Sequence, residues 1–457
     1  PTIGDTLARF CVEQSCDAIP APIREKARLH LLDSAGVALA SASFEFAARA
    51  FAGFSRLGTG DYPVISMPGR LVLRDAICMN GMLVHGIEFD DTSILGRIHP
   101  SAFCVPAALG AGVFTRASGR VMLTAYILGV ECAIRIGAAA RGGFSPAGFN
   151  ATGVVGGFGA VMTAGKLLGL DGARLASAQG IVYSMAAGNR EFVAADAWTK
   201  RLDPGWAAAA GVTAASLAGA DYVGPRSAYE GRYGLYRVYL EHEVTAQDLA
   251  LVTEGLGEQW HFAALALKAV PSCYFNHPLI NATIAIVERY DLAPSAIRSI
   301  RVYVPRAAID TICEPKSAKL APTYLAAALF SAYYNVASAA IRRRLTLDEL
   351  RPEALVDPEV QALASKVTYA VDAETSFPRH YSGAVEIVTK DGRTYMDRED
   401  VNKGSAERPM SQSEIGAKFM ANATRTLSPE RAQALMQALL RIDEVDDVGS
   451  LRLAAGD

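Results

Sequence analysis

Charge is scarce in this sequence, and no stretch gathers lysine and arginine into a stripe. Charged residues make up 20% of the 457-residue chain, against 51% apolar, and the formal net charge is −3. A nucleic-acid partner is therefore not expected. The C-x-x-C spacing is also missing. Seven cysteines (Cys11, Cys16, Cys78, Cys104, Cys132, Cys273 and Cys313) are scattered and odd in number. That pattern argues against a structural zinc or an iron–sulfur cluster and suits buried thiols in a reducing compartment. The opening PTIGDTLARFCVEQ does not read as a secretory leader. One uncharged run, Gly142 to Gly165, is long enough to span a bilayer, but it holds eight glycines, a proline and an asparagine. It is rejected as a membrane helix, and the expected location is cytoplasmic with no membrane partner.

What is present is a large apolar fraction arranged at helical spacing. APIREKARLHLLDSAGVALA carries apolar residues at helical spacing from Ile23 to Leu39,. VMLTAYILGVECAIRIGAAA and GVVGGFGAVMTAGKLLGL are rich in small residues, as in inner helices that pack closely,. Asp171-Gly172 predicts a helix stop and a new start at Ala173. The texture changes after about residue 266. SIRVYVP (299–305) is β-rich, and GAVEIVTKDGRTYMDRE (383–399) predicts two strands around an Asp391-Gly392 turn,. Helical stretches near 322–336 and 357–366 lie between them, and the tail is again amphipathic helix. The expected fold is mainly α. A large all-helical domain is built from both chain ends, 1–265 and 405–457, and a smaller α+β lid domain, 266–404, is inserted.

Several segments carry candidate chemistry. HGIEFDDTSILGRIHP (85–100) crowds Glu88, Asp90 and Asp91 between two histidines. A helix continuing through it would put Glu88, Asp91 and Thr92 on one face, with His99 one short loop away. Carboxylates near a histidine tune its pKa and fix its tautomer. The other reading is a solvated helix end, and a metal set of His85, Glu88 and Asp91 is weaker still. GFNATG (148–153) can open a helix whose free N–H groups favour an anion. WTKRLDPGWAAAAG sets Lys200 and Arg201 before a turn and an alanine-rich helix, and exposed loop charges are the default there. LKAVPSCYFNHP holds Lys268, Cys273 and His277 at the domain junction, where ligand clefts are common,. His30, His242, His261 and His380 read as isolated structural or surface residues.

Taken in order, these segments resemble the MmgE/PrpD family: HGIEFDDT…HPS, GFNATG, TKRLDPGWAA, K-x-x-PSC…H and the Tyr324 region. Its members include 2-methylcitrate dehydratase, cis-aconitate decarboxylase and iminodisuccinate epimerase. The resemblance implies a helical domain with an inserted lid, a homodimer, and no metal or organic cofactor. It implies catalytic roles for His99, Tyr324, Glu88, Asp91 and Thr92. It implies a small-molecule carboxylate substrate held by Lys200 and Lys268, with Asn150, Asp203, Cys273 and His277 in the binding segments. Two positions depart from the family pattern: Asn150 and Asp203 stand where a histidine is usual. Asparagine exchanges no proton near neutral pH, and Asp203 opposes the positive charge of Lys200. A substrate with fewer carboxylates, or with an amine or hydroxyl facing Asp203, follows. The first expectation is a hydro-lyase resembling 2-methylcitrate dehydratase. The alternatives are an epimerase, a decarboxylase and a non-catalytic carboxylate-binding paralogue.

Overall fold

The structure is a computed structural model and describes residues 1–193 and 197–455. Nine helices are laid down first: α1 (Ile3–Glu13), α2 (Ala21–Ser41), α3 (Glu45–Leu57), α4 (Leu73–Val84), α5 (Ser101–Thr115), α6 (Gly119–Ala139), α7 (Ala151–Leu167), α8 (Gly172–Tyr183) and α9 (Thr199–Gly219). A two-residue antiparallel ladder, β1 (Tyr62–Pro63) with β2 (Arg70–Leu71), lies between α3 and α4. Short helices α10 (Leu235–Tyr239) and α11 (Ala246–Thr253) follow. Asp171 caps α8, its side chain accepting from the Arg174 N–H, which is where the sequence placed the restart,.

The inner helices meet through glycine. A Cβ on Gly205 of α9 would lie 2.4 Å from the Cys78 carbonyl of α4, and one on Gly81 would lie 2.7 Å from the Gly205 Cα. A Cβ on Gly211 would lie 2.5 Å from that of Ala160 in α7. Only residues without a side chain allow backbones this close. The consequence is positional: the first turn of α9, with Lys200, is held against the segment that follows α4. Helix α6 is long and apolar enough to cross a bilayer by composition, yet 94% of that stretch is buried inside the fold.

The mixed part begins with α12 (His277–Arg289) and carries β3 (Ile297–Val304), β4 (Val367–Val371), β5 (Gly383–Thr389) and β6 (Thr394–Glu399). The order is β4-β3-β5-β6. Strand β3 runs parallel to β4 and antiparallel to β5. Strands β5 and β6 form the hairpin predicted at Asp391-Gly392, with Gly392 at φ +90°. Between β3 and β4 stand α13 (Lys316–Leu320), α14 (Leu325–Leu329), α15 (Ala332–Arg342), α16 (Pro352–Leu355) and α17 (Pro358–Ala364).

Helices α18 (Gln412–Ala423) and α19 (Pro429–Leu440) return to α2. Phe419 packs where a Cβ on Gly36 would lie 2.9 Å from its ring, and the Lys418 ammonium lies 2.7 Å from the Asp33 carboxylate. The fold is mainly α with a small α+β part, as the sequence predicted.

Candidate active site

The acidic segment is not helical. Helix α4 ends at Val84, and Glu88 sits in the left-handed region at φ +51°. Glu88, Asp91 and Thr92 therefore do not share a helix face, and Asp91 parts from the other two acids.

Asp91 points into the helical core. Its carboxylate accepts from the Ser101 hydroxyl and N–H and lies 3.0 Å from His30 Nδ1. His30 is thus its buried partner rather than an isolated residue. Glu88 and Asp90 converge on Lys268 instead, whose ammonium lies 3.2 Å from Glu88 and 3.4 Å from Asp90. Lys200 pairs with the other Glu88 oxygen, and His85 Nδ1 lies 2.7 Å from Asp90.

Burial alone would push the Glu88 carboxyl up. The Lys200 and Lys268 ammoniums outweigh it and hold the group well below the usual range,. Burial likewise acts against the Lys268 charge, but the two acids raise its pKa. Two acids and two ammoniums thus offset one another in a largely buried cluster,.

His99 sits at the edge of this cluster with its side chain 18% exposed. Its Nδ1 lies 2.7 Å from the Asp91 carbonyl oxygen. A carbonyl only accepts, so Nδ1 carries the proton and Nε2 is the basic nitrogen. Asp91 thus orients His99 through its backbone, and the nearest carboxylate is Asp90, 3.9 Å from Nδ1. Burial and the nearby Lys268 charge push the imidazole down to about 3, so it is neutral at physiological pH.

A cavity of about 160 Å³ opens beside His99, lined by Glu88, Thr92, Asn150, Thr152, Lys200 and Cys273 among others. Arg97, Arg190, Phe330 and Tyr381 complete it. Thr92 is fixed there by two backbone bonds with Ala266, 2.8 and 3.0 Å. Asn150 caps α7, accepting from the Thr152 N–H, and donates 2.7 Å to Asp203. Lys200 lies inside the first turn of α9, not before the helix, with Phe330 4.9 Å from its ammonium.

Five sequence-predicted residues stand apart from the cavity: Asp91, which faces the core, Asp203, which pairs with Asn150, and Lys268, His277 and Tyr324. Lys268 is fully buried behind Glu88 and Asp90, so it holds the acids and does not face the cavity. His277 is fully buried at the start of α12, its Nε2 3.3 Å from the Ser272 carbonyl. Tyr324 precedes α14 with its hydroxyl buried and unbonded, and it lies outside the lining. Conversely, sequence reading missed Arg97, Arg190 and Tyr381. Arg97 lies within the 85–100 segment without standing out in it, and Arg190 and Tyr381 lie outside the candidate segments, each reaching the cavity from a separate loop.

His85, Asp90 and His99 offer one ligand atom each within 4.8 Å, the spacing of a metal set. It differs from the His85, Glu88 and Asp91 set weighed from the sequence. The donor chemistry does not suit a cation: the Lys268 ammonium already stands beside Asp90, and His99 Nδ1 is committed to a carbonyl.

Residues 5–247 match the MmgE/PrpD N-terminal domain and residues 270–443 the MmgE/PrpD C-terminal domain. The chain belongs to the MmgE/PrpD family. It is 25% identical to the cis-aconitate decarboxylase-like protein oryM of Aspergillus oryzae, over 98% of this chain and 96% of the relative. It is 26% identical to the cis-aconitate decarboxylase of Homo sapiens, over 82% of this chain and 78% of that protein. Identity to the cis-aconitate decarboxylase of Aspergillus terreus is 25%, over 98% and 95%. These relatives are decarboxylases by name, and they support an enzyme at the level of the family.

Proposed function

We propose that this MmgE/PrpD protein is a metal-independent lyase that removes a proton from a carbon next to a carboxylate and expels a hydroxyl from the neighbouring carbon. The substrate is a small hydroxy di- or tricarboxylate. One observation carries the reading: the His99 Nδ1 proton is fixed on the Asp91 carbonyl, which leaves Nε2 as the acceptor nitrogen on the cavity side,. As Nε2 takes the proton, the electrons of the C–H bond form the new double bond. The imidazolium that results is stabilised by the Asp91 carbonyl and the nearby Asp90 carboxylate,. The leaving hydroxyl departs as water with a proton from Tyr381, whose phenol burial pushes up to about 12 and keeps protonated.

Decarboxylation is the second reading, favoured by the relatives named above. There the electrons of a carbon–carboxylate bond pass to carbon, and Tyr381 supplies the proton. This route leaves the acceptor nitrogen of His99 without a proton to take, and that places this reading second.

Proton NMR in D₂O with a panel of C4–C7 hydroxy- and unsaturated carboxylates tests both. New vinylic signals with the carbon count retained support dehydration, and released CO₂ supports decarboxylation. Under dehydration His99→Asn should slow turnover about 10²- to 10⁴-fold. An unchanged rate removes His99 from the mechanism. Silence across the panel sinks the lyase reading and leaves carboxylate binding without turnover.

A further inference from the structure

Two guanidiniums that no motif predicted face the cavity. Arg97 lies in a tight loop, where the Ser93 N–H donates 2.8 Å to the Ile98 carbonyl and Arg97 itself is at φ +53°. Its guanidinium lies against Gly142: a Cβ there would come within 1.9 Å of Nη1. Arg190 reaches the same 142–149 turn from the other side. Its N–H donates 3.0 Å to the Gly148 carbonyl and its Nη1 donates 3.3 Å to the Ser145 carbonyl. Both side chains line the cavity that holds His99 and Thr152.

Charge compensation distinguishes them from the lysines. Lys200 and Lys268 are both committed to Glu88, and Lys268 to Asp90 as well. Neither Arg97 nor Arg190 has a carboxylate within ion-pair distance among the described residues; their polar and ring contacts are Ser145 and Phe377. Half-buried guanidiniums without a counter-charge favour an anion, and a planar fork matches a carboxylate with two parallel bonds. Asn150, which lines the same cavity, is neutral and is spent on Asp203.

We propose that Arg97 and Arg190 form a carboxylate clamp for the substrate's distal carboxylate, so that the preferred substrate is a dicarboxylate. This rests on the lyase reading only in what it says of substrate. The clamp itself is a binding site and is tested without turnover.

Calorimetric titration with succinate and with butyrate, at low ionic strength, separates the second carboxylate from the chain length. The wild type should bind succinate at least tenfold more tightly than butyrate. His99→Asn should keep that preference. Arg97→Gln/Arg190→Gln should abolish it, with butyrate affinity changed less than threefold. Arg190→Gln alone, which gives up a single long bond to a loop carbonyl, should reduce the preference severalfold and guards against misfolding of the double variant. A preference that survives in Arg190→Gln and the double variant, or a wild type that binds both acids equally, overturns the clamp. Clear preference with no turnover of any panel substrate keeps the clamp and sinks the lyase reading.

Discussion

The Asn150 side-chain amide donates a 2.7 Å hydrogen bond to the Asp203 carboxylate, joining the cap of α7 to the first turns of α9. These are the two positions at which the chain departs from the histidines usual in its family, and the departures form a matched pair. Burial pushes the Asp203 carboxyl up to about 6, against the Asn150 bond and the His85 and Lys200 charges. Lys200 is not neutralised by Asp203 as the sequence suggested; its partner is Glu88.

A double-mutant cycle of Asn150→Ala and Asp203→Ala should therefore give a coupling of about 1.5–3 kcal/mol above pH 7, the range for a hydrogen bond to a charged group. The coupling should shrink below pH 5, where Asp203 is protonated. Urea unfolding at both pH values checks it, and additive effects at pH 7.5 would show two independent side chains.

Lys268 is a structural cation. Replacing it by methionine leaves Glu88 and Asp90 buried without their shared partner, and stability should fall by about 3–5 kcal/mol. Adding Asp90→Asn removes one of the stranded charges and should recover part of that loss. Urea midpoints of the single and double variants measure both steps. A loss below about 1 kcal/mol for Lys268→Met would mean that the acids do not depend on it.

Stability should decline on acidification. Burial first, and then the Lys268 charge, hold His99 and His277 down to about 3, whereas unfolded histidine titrates at about 6.5. Between these values the unfolded chain binds protons that the folded chain does not. The contribution is full above pH 6.5 and is lost toward pH 3, at about 1.4 kcal/mol per pH unit for each histidine. Asp203 acts with the opposite sign: its raised pKa stabilises the fold at low pH, and that part is lost as pH rises through about 6. Unfolding curves from pH 7.5 to 4.5 should slope downward for the wild type and less steeply, by about one proton, for His277→Gln. Equal slopes would show that His277 titrates normally in the fold.

The sequence by itself determined the elements whose causes are local. Apolar spacing set α2, Asp171 capped α8, and Asp391-Gly392 made the β5–β6 turn. Ordered motifs were enough to indicate the family, and they named His99, Thr92, Asn150 and Lys200, which line one cavity. Periodicity failed at Glu88, where packing holds a left-handed residue that ends any helix-face argument. Tertiary structure alone decided which charges meet. Lys268 lies 180 positions from Glu88 and is buried behind it, while Asp91 turns into the core toward His30. Arg97 and Arg190 converge because both pack on one turn near Gly142 and Ser145. Capping and turn formation act over a few residues, so sequence expresses them directly. Compensation of buried charge acts through space at a few ångströms, and only the packed helices set which groups come that close.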